Sequence, residues 1–392
     1  MSQLKVNTIR HTGASSDAIT LASDGTATAK ITNNLSNRNL IINGAMNVAQ
    51  RGTSDTSTGY YTTVDRWQCT VNGLEENVTR SQESLSSSDT GPYEKGFRNA
   101  WKFVNGNQTG GADAGGYIIP QYLIEAQNIA NSGWNYKSAS SYITLSFWVK
   151  SSVAQTFYGF FRTLDGTGQA YSFSYALSAN TWTKVTKKIP GNSNIDINDD
   201  NGTGLALYLP LFLGTDRTNS GNVEDTWAAY SGSNRTKPST TTWYTTNDST
   251  WHLTGVQLEV GDVATDFEHR SYDYELRRCQ RYFWGWKDPN PKIGFCNGFQ
   301  RTSDMMMANL RHPVEMRASP TLTTSTDAGD FAMVWLNSGG DVNASGITTP
   351  GGTYDRRFTY PIAATLGSGS IGSAAVGVII ETDGTLQFSA EL

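Results

Sequence analysis

Several separated stretches of the chain alternate apolar and polar residues, and this pattern constrains the fold more than any other feature of the sequence. The most regular stretch covers residues 143 to 150, and its apolar residues are Ile143, Leu145, Phe147 and Val149. Residues 171–177 and 205–213 alternate in the same way. A period of two directs successive side chains to opposite faces of a β-strand. Each stretch therefore predicts a strand that covers a core with one face.

These strands predict a large β domain from residue 39 to residue 270. Only 17% of the residues are charged, and turn sequences such as Asp165-Gly166 and Pro190-Gly191 separate the strands. Such a composition is typical of an all-β protein. Pro210 interrupts the third stretch and indicates a bulge or an edge strand. We expect a two-sheet sandwich of the jelly-roll type.

Residues 253–286 change from a strand pattern to a helix pattern and link the sandwich to the rest of the chain. Val256, Leu258 and Val260 alternate with polar residues, and Ser271 can cap a helix that we expect over residues 271–286. The apolar stripe of this helix consists of Tyr272, Leu276, Cys279 and Phe283. A stripe of this length fits packing against the sandwich, and it also fits a position on the axis of a trimer.

Residues 287–392 predict a second, smaller β domain. The expected strands cover residues 293–295, 305–310, 331–336, 358–360, 376–380 and 386–388. Asp383-Gly384 is a turn sequence that should join the last two strands in a hairpin. The glycine-rich segments 337–352 and 367–373 should form exposed loops, where recognition could be tuned.

Three groups of segments resemble bacteriophage tail-fibre and related receptor-binding proteins. They are VQLEVG, ATDFEHRSYDYEL and CQRYF within residues 256–283; NLIINGAM at 39–46 with Gln50-Arg51-Gly52 and Asp65-Arg66-Trp67; and PVEMRASPT at 313–321 with FSAEL at 388–392. The resemblance implies a virion fibre, usually a homotrimer, that is made in the host cytoplasm and contacts a bacterial surface. It transfers no catalytic residue.

A second resemblance concerns the strands of the sandwich. ITLSFWVKSS at residues 143–152 and ALSANTWTKVTKKIPG at 176–191 are similar to jelly-roll carbohydrate-binding modules. This resemblance implies that the central domain binds a glycan of the host surface.

Residues 1–38 are short of large apolar side chains and cannot form a core alone. Alternation around Ile9 and Ile19, with a turn at Asp24-Gly25, predicts two or three short strands. Two interpretations remain open: a disordered tail, and a stem in which three copies complete one another's core and dock to phage tail or other virion proteins. The fibre resemblance favours the stem.

Aromatic side chains in polar loops are candidates for glycan contacts. A sugar ring stacks its apolar face on an aromatic ring, while polar side chains bind its hydroxyl groups. The candidates in segments rich in glycine, serine, threonine or asparagine are Trp227, Tyr230, Trp243 and Tyr244. The alternative for each is a place in the core or in the trimer interface. Trp148, Trp182 and Trp251 lie on predicted strands, and we expect them to be structural.

Oxygen-bearing side chains crowd residues 196–202, where Asp196, Asn198 and Asp200 are candidate ligands of a structural calcium ion. The spacing departs from the EF-hand pattern, because the glycine comes one position late. A solvated turn explains the same residues. The sequence indicates no other cofactor.

The charge and cysteine content exclude several classes of protein. Thirty basic and 35 acidic residues give a net charge of -5 without a basic stripe, which argues against nucleic-acid binding. Three widely spaced cysteines, Cys69, Cys279 and Cys296, indicate free thiols rather than a disulfide framework. We expect no signal peptide and no membrane insertion.

Catalytic motifs are absent from the sequence. None of the four histidines lies in a His-Glu-x-x-His pattern, and residues 367–372 match a dinucleotide fingerprint without the βαβ unit that it requires. We therefore expect a non-enzymatic adhesion fibre whose weak glycan sites are multiplied by trimer avidity. The alternatives are a purely structural fibre or connector of the head, neck or tail, and a glycan-degrading tailspike with two carboxylates across a cleft.

Overall fold

The computed structural model describes residues 5–25, 27–29, 37–108, 110–111, 113–287, 293–302, 305–325, 330–335, 341–344, 346–348, 355–359, 362–364, 374–380 and 384–392. Strands dominate these residues. The three α-helices within them are short: α1 (Ala126–Ala130), α2 (Thr242–Thr245) and α3 (Tyr272–Gln280). The prediction of an all-β protein is confirmed. In the described ranges, no helix has the length and the hydropathy of a membrane-spanning helix.

The N-terminal region forms a small antiparallel sheet of three strands, β1 (Thr8–Ile9), β2 (Ile19–Leu21) and β3 (Ala27–Ala29). The prediction of two or three short strands is confirmed, and Gly25 lies at the expected turn with its amide bonded to the carbonyl of Ala22. Ile9 and Leu21 are exposed in the single chain. None of the side chains that the structure describes in this sheet is buried, and a sheet of this size has little stability of its own.

Two antiparallel sheets form the central sandwich. The seven-stranded sheet contains β5 (Trp67–Asn72), β8 (Tyr117–Glu125), β10 (Gln155–Thr163), β11 (Gln169–Leu177), β13 (Thr203–Tyr208), β14 (Phe212–Leu213) and β15 (Trp227–Ala229). The six-stranded sheet contains β4 (Ser54–Asp55), β6 (Thr79–Ser84), β7 (Asn99–Val104), β9 (Tyr142–Ser151), β12 (Thr183–Pro190) and β16 (Thr250–Val260). The chain passes repeatedly from one sheet to the other, as in a jelly roll.

The core lies between the two sheets and is built from the alternating residues. Ile143, Leu145, Phe147 and Val149 of β9 are all fully buried, and so are Leu205 and Leu207 of β13. They form one apolar cluster with residues of the facing sheet. The third predicted stretch is not one continuous strand, because β13 ends before Pro210 and β14 begins after it. The alternation therefore predicted correctly which faces are buried.

Helix α3 is shorter than the predicted helix of residues 271–286. Ser271 occupies the N-cap position, but the helix ends at Gln280, and Phe283 already belongs to the next strand, β17 (Phe283–Lys287). The helical prediction for Phe283 is wrong because Phe283 pairs with Ser389 near the C-terminus of the chain. This long-range pairing overrides the local helical spacing.

The C-terminal strands form two further sheets. The smaller contains β17, β20 (Thr321–Thr324) and β27 (Thr385–Ser389). The larger contains β18 (Ile293–Thr302), β19 (Met305–Arg311), β21 (Phe331–Trp335), β22 (Asp341–Ala344), β23 (Gly346–Thr348), β24 (Phe358–Thr359), β25 (Ile362–Ala364) and β26 (Ala374–Ile380).

Two predictions for this C-terminal region are wrong. Strands β26 and β27 do not form a hairpin, because β26 pairs with β18 and β21 whereas β27 pairs with β17 and β20. Residues 337–352 were expected to be loop, but they include β22 and β23. The remainder of that segment, together with residues 365–373 and Asp383, lies outside the described residues.

A buried set of charged residues joins the sandwich to the C-terminal strands. We call it the joint network and define it as Arg51, Asp65, Arg66, Glu125, Arg281 and Glu391. Glu391 binds Arg66 and lies 3.1 Å from Arg51 Nη2. Arg281 Nη2 lies 2.9 Å from Glu125 Oε2, and Tyr282 also donates to Glu125. The guanidinium of Arg66 lies 3.5 Å from the ring centre of Tyr282.

The joint network includes residues from several of the segments that carry the sequence resemblance. Four segments that are separated in sequence contribute to it. They are Gln50-Arg51, Asp65-Arg66, the end of α3 and the C-terminal FSAEL segment. Arg317, from the segment PVEMRASPT, donates to the backbone carbonyls of Ala390 and Glu391. Buried charges require such partners. Several of the residues that carry the resemblance therefore hold the fold together.

Candidate functional site

The outer face of the six-stranded sheet carries the candidate site. Because the odd-numbered residues of β9 point into the core, Ser146, Trp148 and Lys150 point outward. The register places Trp148 opposite Lys184 of β12 on one side and Thr254 of β16 on the other. Trp148 is half-buried, and its ring lies on the outside of the sandwich, away from the core cluster.

Two segments cross this face and enclose a cleft of about 360 Å³ above it. One is the connection between β6 and β7, and the other follows β16. We call this the Trp148 cleft. Its lining residues are Glu94, Lys95, Phe97, Ser146, Trp148, Lys184, Gly255, Asp266, Phe267 and His269. The volume lies within the range of about 300–1,000 Å³ that is usual for small-molecule sites.

Two glycines allow the aromatic rings to pack closely in the cleft. Gly91 has a φ of +98°, and a Cβ there would lie 2.8 Å from the ring of Trp148. Gly255 has a φ of +62° at the irregular register of β16, and a Cβ there would lie 2.6 Å from the ring of Phe97. Both backbone conformations favour glycine. The two glycines thus let the crossing segments approach the rings.

An aromatic group closes one end of the Trp148 cleft. The ring centres of Phe97, Phe267 and His269 lie within 4.8 to 5.0 Å of one another. His269 Nε2 donates to the carbonyl oxygen of Lys95 at 2.8 Å, which ties the two crossing segments together. The end wall of the cleft is therefore held by both ring packing and a hydrogen bond.

Trp182 lies beside the cleft and is fixed by charged neighbours. Its indole Nε1 donates to Asp89 Oδ1 at 3.0 Å, and Lys150 Nζ lies 2.9 Å from the same oxygen. Burial alone would raise the pKa of Asp89. The pKa is instead lowered to about 2 by hydrogen bonds from Trp182 and from the backbone of Ser86, and by the charge of Lys150. Asp89 is therefore ionised at neutral pH and holds the indole ring in place.

A second polar group continues along the same face of the sheet. His252 Nε2 lies 2.8 Å from Glu83 Oε2, and Lys102 Nζ lies 2.7 Å from Glu83 Oε1. The pKa of Glu83 is lowered to about 2, first by the hydrogen bond from His252 and then by Lys102, although burial acts in the opposite direction. Burial lowers the pKa of His252, so the ring is neutral at pH 7 and donates to Glu83. This group stiffens the sheet next to Trp182.

The Trp148 cleft combines the two kinds of surface that a sugar requires. The indole of Trp148 offers an apolar face for C–H groups. Around it, the exposed side chains of Glu94, Lys95, Lys184 and Asp266 offer hydrogen-bond donors and acceptors for hydroxyl groups. By contrast, a pocket of about 460 Å³ between residues 37 and 278 is lined by amides and arginines, and its described lining residues include no aromatic ring.

Three of the four predicted glycan contacts are core residues in the structure. Trp243 and Tyr244 of α2 are fully buried: Trp243 Nε1 donates to the carbonyl of Thr250, and Tyr244 stacks on Phe212 at 4.0 Å. Trp227 is buried in the same cluster and donates to the carbonyl of Pro190. Their segments are polar in sequence but fold back against the sandwich, so these rings present no face to a ligand.

Tyr230, the fourth predicted contact, is half-buried and lies away from the Trp148 cleft. The guanidinium of Arg162 lies 3.7 Å from its ring centre. Trp148 and Trp182 were expected to be structural, whereas both rings are partly exposed in the structure. The signal was present, since Trp148 occurs in phase with Ser146 and Lys150, the outward set of β9. Trp251, also expected to be structural, is fully buried.

The helical stripe proposed for the trimer axis lies partly in the protomer core. Cys279 and Phe283 are buried, and Leu276 packs against the core cluster, whereas Tyr272 is 59% exposed. Packing against the sandwich thus accounts for most of the stripe. Cys69 and Cys279 are free thiols, as expected, and the side chain of Cys296 lies outside the described residues.

The loop considered for calcium uses its oxygen atoms within the protein. Asp196 pairs with Lys137, the amide of Asn198 donates to Asp165, and Asp200 accepts from the backbone of Gly202. Across the described residues, no cluster of three or more His, Cys, Asp or Glu side chains is arranged to hold a metal ion. The loop is a hydrogen-bonded turn.

Comparisons with known proteins give structural matches only. No protein-family model and no curated protein matches the sequence significantly. The enzymatically active domain of tailspike protein 4 of bacteriophage CBA120 is 12% identical with a TM-score of 0.30, and the match covers 57% of this chain and 22% of that one. A family 11 carbohydrate-binding module of a Clostridium thermocellum cellulase is 13% identical with a TM-score of 0.26, over 57% of this chain and 99% of the module. The N-terminal cellulose-binding domain of a Cellulomonas fimi glucanase is 11% identical with a TM-score of 0.27, over 55% and 99%.

Proposed function

We propose that the protein binds carbohydrate in the Trp148 cleft and acts as part of a phage fibre that attaches to a bacterial surface. The observation that carries the binding proposal is the half-exposed indole of Trp148 at the floor of a cleft with charged walls. Buried aromatic rings are common in a sandwich. A ring that points away from the core, with acids and bases around it, is typical of a ligand site.

The proposed site is preorganised for a sugar ring. Gly91 packs against Trp148, and the aromatic group of Phe97, Phe267 and His269 fixes the end of the cleft. Because these contacts exist without ligand, binding costs little side-chain entropy. The walls are solvent-exposed, so we expect weak affinity at a single site and strong attachment only when several copies act together.

The fibre role is supported by the sequence resemblance and by the joint network, to which its segments contribute. The N-terminal sheet adds a further argument, since it exposes Ile9 and Leu21 in the single chain. Three copies that share these strands would form the stem of a homotrimer and provide the attachment to other virion proteins. The location that follows is the virion, after folding in the host cytoplasm.

Binding without cleavage is the proposed mode. The alternative is glycan cleavage, which the presence of two exposed carboxylates, Glu94 and Asp266, in the same cleft favours. Both carboxylates are exposed, and binding by stacking on Trp148 requires of them only that they accept hydrogen bonds. We therefore place these carboxylates as acceptors for sugar hydroxyl groups.

The experiment is the binding of labelled full-length protein to a panel of bacterial strains, with the same cells stripped of surface polysaccharide as the control. Released sugar is measured in parallel. Saturable binding that is lost on stripping, without released sugar, is the expected result. Released sugar would establish the cleavage alternative, and a failure to bind any strain would contradict the attachment role.

A further inference from the structure

A second group of aromatic and cationic side chains lies on the outer face of the seven-stranded sheet. Phe160 and Arg162 of β10 point outward there, because Phe161 between them lies in the core. Phe160 pairs in register with Tyr208 of β13, and the two rings stack at 4.5 Å. Arg162 lies on the ring of Tyr230, with its guanidinium carbon 3.7 Å from the ring centre. The group thus combines stacked rings with a cation.

Arg235 lies near enough to this group for its charge to act on the phenol of Tyr208. Its backbone amide is fixed by the carbonyl of Arg217, in the segment that crosses this face of the sheet. Burial raises the pKa of the Tyr208 phenol, and the charges of Arg162 and Arg235 lower it in part. The phenol therefore stays protonated at neutral pH and can donate a hydrogen bond, while both guanidiniums lie near enough to act on it.

Neither arginine has an acidic partner in the structure as described. Arg162 Nε and Arg235 Nε are both buried and have no hydrogen-bond acceptor among the described residues. Glu224 lies on the same crossing segment, but it is engaged by Lys237 at 2.9 Å. Two neighbouring cations repel each other, and buried donors without acceptors cost free energy. The Nε atoms themselves are closed to solvent, but an external anion bound by the exposed parts of the two side chains would offset the repulsion between the cations.

We propose that Arg162, Tyr208, Tyr230 and Arg235 form a second ligand site, which takes the carboxylate of an acidic sugar. A guanidinium binds the two oxygen atoms of a carboxylate through a pair of parallel N–H groups. The rings of Tyr208 and Tyr230 lie beside the guanidiniums and offer apolar surface to the sugar ring. All four side chains are half-buried, so a ligand can reach them.

This site goes beyond the proposed function, because it lies on the opposite sheet from the Trp148 cleft. A chain with two sites could bind a charged polysaccharide at two points. The Trp148 cleft carries both signs of charge and so sets no preference for acidic glycans. The two arginines of the second site would make the chain prefer acidic capsular or surface glycans to neutral glycans. The two sites can therefore be tested separately by substitution.

The test is calorimetric titration of the full-length protein with a galacturonic acid trisaccharide. The neutral galactose trisaccharide and inorganic phosphate form separate arms, which distinguish an acidic sugar from a neutral sugar and from a simple anion. We expect the acidic trisaccharide to bind at least about tenfold more tightly than either, with an affinity that falls as salt rises. Equal binding of the neutral trisaccharide or of phosphate would overturn the proposal.

Substitutions locate the binding. Arg162→Gln should weaken the binding of the acidic trisaccharide by at least about tenfold, because the substitution removes the charged pair of N–H donors. Arg277→Gln removes the same charge from an exposed position on α3 and should leave binding unchanged. Arg235→Gln provides an independent variant if Arg162→Gln fails to fold, as judged by thermal melting. An equal loss in Arg162→Gln and Arg277→Gln would overturn the site.

Trp148→Ala separates this site from the cleft. The variant should bind the acidic trisaccharide as the unaltered protein does, because Trp148 lies on the other sheet. Loss of acidic binding in Trp148→Ala would assign that binding to the cleft and contradict the second site. A failure of the proposed function, by contrast, would leave the effect of Arg162→Gln intact.

Discussion

Replacing Glu391 by glutamine should destabilise the protein strongly, because Glu391 is the shared acid of the joint network. Its side chain is 6% exposed and serves Arg66, which is 1% exposed, and Arg51, which is 10% exposed. Glu391→Gln keeps the shape of the side chain but removes the paired acid of Arg66 and one of the two acids paired with Arg51. Removing one partner of a buried pair costs about 3–5 kcal/mol.

The lower end of that range applies here. Both guanidiniums keep a ring contact after the substitution, since Arg51 lies 3.5 Å from the ring centre of Phe283 and Arg66 lies 3.5 Å from that of Tyr282. Arg51 also keeps Asp65, at 3.8 Å. These contacts retain part of the stabilisation. We therefore expect a loss of about 3 kcal/mol in the free energy of unfolding.

The assay is urea unfolding followed by tryptophan fluorescence, with Glu315→Gln as the matched control. Glu315 pairs with Arg356 and Arg357 but is 39% exposed, so its substitution should cost less than about 1 kcal/mol. Each glutamate pairs with two arginines, so the difference between the two variants reports the effect of burying the ion pairs. If the two variants differed by less than about 1 kcal/mol, the joint network would not have the structural role assigned to it.

Two further predictions concern the surroundings of the cleft. The pKa of Asp89 lies below its ordinary value, at about 2, so its charge stabilises the fold above pH ~4 and this contribution is lost as the pH falls towards 2. Asp89→Asn should thus be less stable than the unaltered protein by about 2 kcal/mol at pH 6 and about equally stable near pH 2. Denaturant midpoints measure this difference, and a difference that stays constant with pH would contradict the role assigned to Asp89. Gly91→Ala should cost about 1–3 kcal/mol and weaken glycan binding, because the new Cβ would meet Trp148 at 2.8 Å and the φ of +98° disfavours alanine. Gly232→Ala, whose Cβ would meet nothing within 4 Å, should change neither thermal melting nor calorimetric affinity.

The strands of the sandwich could be predicted because their pattern is local. Alternation in residues 143–150 determines which side chains of β9 enter the core, whatever strand lies beside it. Strand partners could not be predicted in the same way. The pairing of β27 with β17, and with it the end of α3 before Phe283, depends on contacts between residues about 100 positions apart. The pairing of β27 with β20 depends on contacts between residues about 65 positions apart.

The candidate site was harder to predict, because burial in loops depends on tertiary contacts. Trp243 lies in a segment rich in threonine, yet its backbone amide is held by Gln155 and its indole lies in the core. Trp148, in contrast, carried a usable local signal. Its phase along β9 matches the polar residues Ser146 and Lys150, and a large aromatic residue in the outward phase indicates an exposed ring. The two segments that cover it could not be inferred from sequence.

The most direct test of carbohydrate binding in the Trp148 cleft is a comparison of Trp148→Ala with Tyr60→Ala. Tyr60 is 61% exposed and does not line the cleft, so its removal controls for the loss of a surface ring. Both variants and the unaltered protein are titrated with the polysaccharide of a strain that the protein binds. We expect Trp148→Ala to lose about tenfold or more in affinity, a change of about 1.4 kcal/mol or more, and Tyr60→Ala to bind as the unaltered protein does. Equal affinity of all three proteins would contradict the account.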